Sequence, residues 1–305
     1  MQDGSRKAII AAFFANLGIA IAKFIGFVIT GSAGLLAEAA HSVADTGNQG
    51  LLMFGGKRGK RPADAAHPFG YGPERYFWSF VVALVLFSMG GLFALYEGIH
   101  KLSDPHEIEN AGVAYAILIV AIGLETFSLR TAVKEANHVR GRRSWWQYIR
   151  TAKAPELPVV LLEDIGAELG LFFALFGLTM AEVTGEPRWD AVGSIAIGVL
   201  LVVIAVILAA EMKGLLIGEA ASDEHLDAIN AAIAGSTSVN GLIHLRTMHL
   251  GPDRLLVAAK IDYDHSLDVA ALAAAIDATE SNLRAQVPIE MIIYIEPDIR
   301  RKQSE

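Results

Sequence analysis

Six predominantly apolar stretches punctuate the first two-thirds of the chain, at about 9–29, 34–54, 77–96, 111–129, 158–180 and 191–210. Each holds roughly 20 residues. At about 1.5 Å of rise per helical residue, that length crosses a hydrocarbon core of about 30 Å. Polar residues interrupt the pattern unevenly. The first stretch carries Asn16 and Lys23, while the second and fifth are diluted enough to blur their ends. Such dilution marks a helix that faces the interior of a bundle rather than lipid. After Lys213 the pattern changes. Helical periodicity returns at 223–234, and 242–250 and 255–262 read as strands joined by a turn at Gly251, Pro252 and Asp253. A helix is expected over 267–283, and a last strand over 290–295 that Pro297 terminates. This pattern predicts a mostly α membrane protein. A six-transmembrane-helix bundle over 1–212 precedes a cytoplasmic α+β domain of helix–strand–strand–helix–strand order over 213–299, with helices on one face of a small sheet. Residues 300–305 are expected to form a disordered tail. A domain of roughly 80 residues is marginal alone, so a second copy is expected to pack against it.

Composition supports the membrane reading. The chain is 53% hydrophobic and 19% charged, against about 45–50% and about 25% in ordinary soluble domains. It has no cysteine, which excludes disulfides and thiolate metal sites and leaves nitrogen and oxygen ligands. No polybasic stripe suits a nucleic acid, and nothing in the pattern calls for an organic cofactor. Basic residues fall on one side of the spans. Arg6 and Lys7 precede the first; Lys57, Arg58, Lys60, Arg61 and Arg75 follow the second; Lys134, Arg140, Arg142, Arg143, Arg150 and Lys153 follow the fourth. The loops at 30–33, 101–110 and 182–190 are short and poor in such residues. Both termini and both basic loops are therefore expected in the cytoplasm, with Trp78 and Trp189 near the interfaces. The first apolar run lacks a small-residue cleavage site. A compact chain without a targeting extension leads to the expectation of a bacterial inner membrane.

The chemistry lies in the diluted spans. His41 and Asp45 stand four residues apart in the second, and Asp164 and Glu168 in the fifth. That spacing puts each pair on one helix face. Carboxylates at membrane depth cost several kcal/mol and are kept for function. The two faces together supply one imidazole and three carboxylates, a ligand set for a divalent metal. Imidazole suits Zn²⁺, Fe²⁺ or Co²⁺, and extra carboxylates tilt the preference toward Mn²⁺ and Fe²⁺. Without metal, three carboxylates would carry a formal charge of about −3. The empty site is thus expected to hold protons, which metal entry expels. Asn16, Thr46, Asn48 and Gln49 are candidates to support the ligands or line the inner path, and Glu38 to line the outer one. Glu163 is about 100° from Asp164 around the helix and is not expected to share its face. Small residues around the first pair, from Gly31 through Ala44, permit close helix approach.

With HSVAD in the second span, HPFGYGPER before the third and a tail ending in IEPD, the chain resembles the cation diffusion facilitator family of divalent metal/proton antiporters. VVLLEDIGAELG and HSVADTGNQ resemble the branch containing zinc transporter 9. The resemblance implies a homodimer that exchanges metal for protons by alternating access, with His41, Asp45, Asp164 and Glu168 as the transport site. Asp164 and Glu168 stand where a histidine and an aspartate are usual, so the resemblance leaves the metal open: Zn²⁺ first, with Mn²⁺, Fe²⁺, Co²⁺ and Cd²⁺ as alternatives. It also implies a peripheral site at Asp64, His67 and Tyr71, where tyrosine replaces the usual histidine, and a tail site drawn from His244, His249 and Glu296, chiefly His249 and Glu296. Trp145 and Trp146 suggest an amphipathic segment at the inner interface. A metal-sensing membrane scaffold is the rival from another class.

Overall fold

The computed structural model describes residues 3–300, with side chains from Asn16 onward. Arg6, Lys7 and residues 301–305 of the expected tail lie outside what is described of side chains. Helix α1 spans Asp3–Thr30 and α2 Ala33–Arg58. Next come α3, Glu74–Val85, and α4, Phe93–Ser103, joined through a π-helical turn at Leu86–Leu92 into one continuous helix. Helix α5 covers Ala111–Arg140, α6 Trp145–Thr151, α7 Glu156–Thr184 and α8 Arg188–Ile217. The tail adds α9 at Asp223–Ala234, β1 at Val239–Gly251, β2 at Arg254–Tyr263, α10 at Val269–Gln286 and β3 at Glu290–Asp298.

Among the described residues, three helices are long and apolar enough to cross a membrane: Glu74–Ser103, Ala111–Arg140 and Arg188–Ile217. Helices α2 and α7 match them in length, with 26 and 29 residues. Glu38, His41 and Asp45 dilute the first, and Glu163, Asp164 and Glu168 the second. Large apolar side chains lie bare on the outside, among them Phe24 and Val28 of α1 and Val120 and Phe127 of α5. That surface suits lipid and would be a liability in water. The helices overrun the apolar stretches. Helix α5 continues from 129 to Arg140, because Lys134, Glu135 and Ala136 are good helix formers whose charges can leave the apolar layer. The basic loop expected there is correspondingly short, and α6 follows it. Ser144 starts α6 by accepting the Gln147 N–H, and Trp145 and Trp146 are exposed on it.

The chain forms two compact units, residues 1–56 with 77–213, and 57–76 with 214–305. The segment 57–76, expected to belong to the bundle, packs with the tail instead. Its Arg75 donates to Asp253 at 2.6 Å, a bond that apolar patterning does not reveal.

In the helical unit, α5 packs along α7 and α1 along α5. Helices α4 and α8 meet almost backbone to backbone. A methyl group at Gly98 would stand 2.9 Å from the Ile195 nitrogen, and one at Gly198 2.7 Å from the Leu95 nitrogen. Small residues at such crossings let helices approach where lipid offers no hydrophobic drive.

In the tail unit, β2 is central, antiparallel to β1 and parallel to β3. Its alternating burial puts Leu255, Val257, Ala259, Ile261 and Tyr263 on one face, the two-residue period of a half-buried strand. Helix residues Ile229, Ile233 and Leu283 complete that core. Ser222 and Asp268 cap the two helices by accepting the N–H groups of His225 and Ala271. Pro297 does not end β3, which runs on to Asp298. Proline is tolerated because β3 is an edge strand, where no outer neighbour needs its missing N–H. Arg300, assigned to the tail, is tied back by donating to the Leu242 carbonyl at 2.8 Å.

Candidate metal site

Helix α2 enters the bundle through a buried polar lock. Its first N–H groups have no helical acceptor. Asp190, at the start of α8 and fully buried, accepts from the Ala33 N–H at 2.6 Å and the Ser32 hydroxyl at 2.7 Å. Lys101 of α4 donates to the same carboxylate at 2.8 Å and to the Gly31 carbonyl at 2.6 Å. This sets the depth of α2, and with it the positions of His41 and Asp45.

Below the lock, a narrow cleft is lined by Asn16 of α1, Ser42, Asp45 and Gln49 of α2, Glu125 of α5, and Val160, Glu163 and Asp164 of α7. Its free volume of about 20 Å³ is that of one small ion or water. Four carboxyl groups from three helices thus face one space. Asp45 of α2 and Glu163 of α7 line the same cleft. Asn48 donates to Glu163 at 2.9 Å, and Ser128 of α5 donates to Asp164 at 3.2 Å.

Of the four expected transport residues, Asp45 and Asp164 meet in this cleft. His41 and Glu168 do not line it. His41 is fully buried, with Nδ1 3.4 Å from Asp45 Oδ1 and neither ring nitrogen hydrogen-bonded. It lies against Gly90 of the π-helical turn, a distortion often found at functional sites. Glu168 accepts from the Thr126 hydroxyl at 2.8 Å through one oxygen; the other is buried without a partner. Among the described residues, no three His, Asp or Glu side chains converge into a closed ligand set.

The supporting residues sort themselves. Asn16 and Gln49 line the cleft, and Asn48 holds Glu163. Thr46 donates to the Ser42 carbonyl within α2. Glu38 is fully buried and paired with Lys23 at 3.0 Å. Glu163, set aside for being about 100° from Asp164, shares the cleft because α7 lies between α2 and α5: Glu163 is held by Asn48 of α2 and Asp164 by Ser128 of α5. Glu125 was passed over because it has no acidic partner four residues away. Its own charge inside an apolar span was the available signal.

The peripheral residues are exposed. Tyr71 donates to Asp64 Oδ2 at 2.6 Å, and the N–H groups of Ala66 and His67 donate to Oδ1 at 3.0 and 2.8 Å. The Tyr71 hydroxyl, then these backbone donors, hold the Asp64 carboxyl below its usual range. His67 Nδ1 lies 3.6 Å from Asp64. The three side chains meet, with the carboxylate engaged in holding the loop. In the tail, His249 is buried near the end of β1, with Nδ1 3.2 Å from the Gly251 carbonyl. Glu296 pairs with Lys260 at 3.0 Å. His249 is in register with Leu255, and Glu296 with Lys260. Five residues of strand, about 17 Å at about 3.3 Å each, separate the two levels, so they do not share an ion within one chain. His244, in register with Lys260, is the histidine level with Glu296.

Comparison with known proteins gives this arrangement a family. The model of the cation efflux transmembrane domain matches residues 9–217. The chain is 30% identical over 263 residues to the proton-coupled zinc antiporter SLC30A9, mitochondrial, of Homo sapiens, covering 86% of this chain and 46% of that protein. It is 29% identical over 283 residues to the magnetosome protein MamB of Magnetospira sp., covering 90% of this chain and 89% of that one. It is 27% identical over 251 residues to the cation-efflux pump FieF of Serratia proteamaculans, covering 82% and 79%. The chain spans about half the length of the SLC30A9 relatives it matches. A match extending over most of the chain, and over every helix that bears on the cleft, shows that it belongs to the cation efflux, or cation diffusion facilitator, family of transmembrane proteins.

Proposed function

We propose that the chain exports divalent transition metals in exchange for protons, with Zn²⁺ as first candidate and Mn²⁺ or Fe²⁺ by the same mechanism as the alternative. The observation that carries the reading is the cleft shared by Asp45, Glu125, Glu163 and Asp164. A divalent cation entering four carboxyl groups must displace protons, because their negative charges repel one another in a low dielectric. His41 and Glu168, one turn away on the same helices, join the ligand set when α2 and α7 slide. The zinc antiporters among the relatives support the metal and the coupling.

In this reading α1, α2, the continuous helix Glu74–Ser103, α5, α7 and α8 all cross the bilayer. Both termini face the cytoplasm, following the basic loops. The protein works as a homodimer through its tail, in a bacterial inner membrane; the FieF and MamB relatives are from bacteria.

The test is uptake of Zn²⁺, Mn²⁺, Fe²⁺, Co²⁺ and Cd²⁺ into proteoliposomes under an imposed pH gradient. Gradient-driven uptake of at least one metal is expected, falling at least about 100-fold in Asp164→Ala. Folded protein that moves none of these ions would overturn the reading.

A further inference from the structure

Lys23 is a fully buried lysine of α1, unused by the transport reading. Its Nζ donates to Glu38 Oε2 at 3.0 Å and to Ser42 Oγ at 2.8 Å, and lies 4.0 Å from Glu125 Oε1. Lys23 and Glu38 are fully buried. Ser42 and Glu125 are walls of the acidic cleft. The ammonium therefore sits between one carboxylate outside the cleft and one inside it. Among the described residues it makes these two hydrogen bonds, and the long flexible stem lets the head move. Glu38 has little freedom to follow. It is wedged against α7, where a methyl group at Gly170 would collide with its carboxylate, and its Oε1 has no hydrogen-bond partner.

Charges a few ångströms apart in a protein interior interact far more strongly than in water. A positive charge at the cleft wall repels an incoming divalent cation. Glu38 restrains that repulsion by holding the ammonium back from Glu125. We propose that Lys23 is a tethered counter-cation of the metal cleft, retained by Glu38 when metal is bound and swung toward Glu125 when the cleft empties, so that the Lys23–Glu38 pair sets the metal affinity. This deepens the transport reading and rests on it. Lys23 is a positioning residue that acts through charge and does not touch the metal.

The test uses the full chain in lipid nanodiscs and measures Zn²⁺ and Mn²⁺ binding by calorimetry. Glu38→Gln releases the ammonium toward the cleft and should weaken binding at least tenfold. Adding Lys23→Met to Glu38→Gln removes the released charge and should restore wild-type affinity or better. Lys23→Arg, which keeps the charge, should stay within about threefold of wild type. Should the Met/Gln pair fail to fold, Lys23→Gln with Glu38→Gln keeps a hydrogen bond in place of the ion pair and takes the same test. A brace with no electrostatic role would lower thermal stability in all variants and show no rescue. Unchanged affinity in Glu38→Gln, or affinity equally weak in the double variant, would overturn the proposal while leaving the transport reading intact. Absence of binding by folded wild type would instead overturn the transport reading, and this proposal with it.

Discussion

Asp190→Ala tests whether the lock at the head of α2 holds the bundle together. Asp190 accepts from Ser32, Ala33 and Lys101, and it is fully buried. Its removal leaves the Lys101 ammonium, only 5% exposed, with the Gly31 carbonyl as its remaining contact. Stranding one member of a buried ion pair costs about 3–5 kcal/mol. The lost acceptor for the Ala33 N–H and Ser32 hydroxyl adds about 1 kcal/mol each, and neighbouring losses do not sum fully. A net destabilisation of about 4 kcal/mol is expected, close to a thousandfold in the folding equilibrium. The assay is reversible unfolding of the purified chain in mixed micelles, titrated with a denaturing detergent and followed by tryptophan fluorescence. Asp190→Leu combined with Lys101→Met is the control, because replacing both partners removes the stranded charge and should recover part of the loss. A single variant within about 1 kcal/mol of wild type, or a double variant no more stable than the single, would refute the argument.

Two further outcomes are expected. Gly98→Ala should destabilise the helical unit by about 1–3 kcal/mol by forcing α4 away from the Ile195 and Ala191 backbone; the same micelle titration reads it, and an unchanged midpoint would show that the crossing has slack. Tyr71→Phe should move the Asp64 titration upward toward the ordinary carboxylate value, since the tyrosine hydroxyl is the largest cause of its depression. With a depressed folded value, the contribution of Asp64 to the loop is present above about pH 3.9 and lost as pH falls through the folded value. Carbon-detected NMR of the carboxyl group would show this, and an unmoved titration would remove the hydroxyl from the account.

Several features of this protein were legible from residue order alone, because they depend on local chemistry. Apolar runs of bilayer length, the helical periodicity of 223–234 and the strand pattern of β2 each state a local preference that the fold obeys. So does the cost of a carboxylate inside an apolar helix, which singled out Asp45, Asp164 and Glu168. Tertiary structure decided which of these charges face each other. Helical spacing reports neighbours on one helix, whereas the cleft is made by faces of α2, α5 and α7 whose relative rotation depends on packing at contacts such as Gly34 on Ala174. Glu125 and Glu163 entered the cleft, and His41 and Glu168 stood outside it, for that reason. Lys23 read as an interruption in an apolar run until the fold set it between Glu38 and Glu125. Segment 57–76 joined the tail through Arg75 and Asp253, residues 178 positions apart. Contacts of that sequence separation leave no periodic trace, because they are settled by the burial of the whole chain and not by any one segment of it.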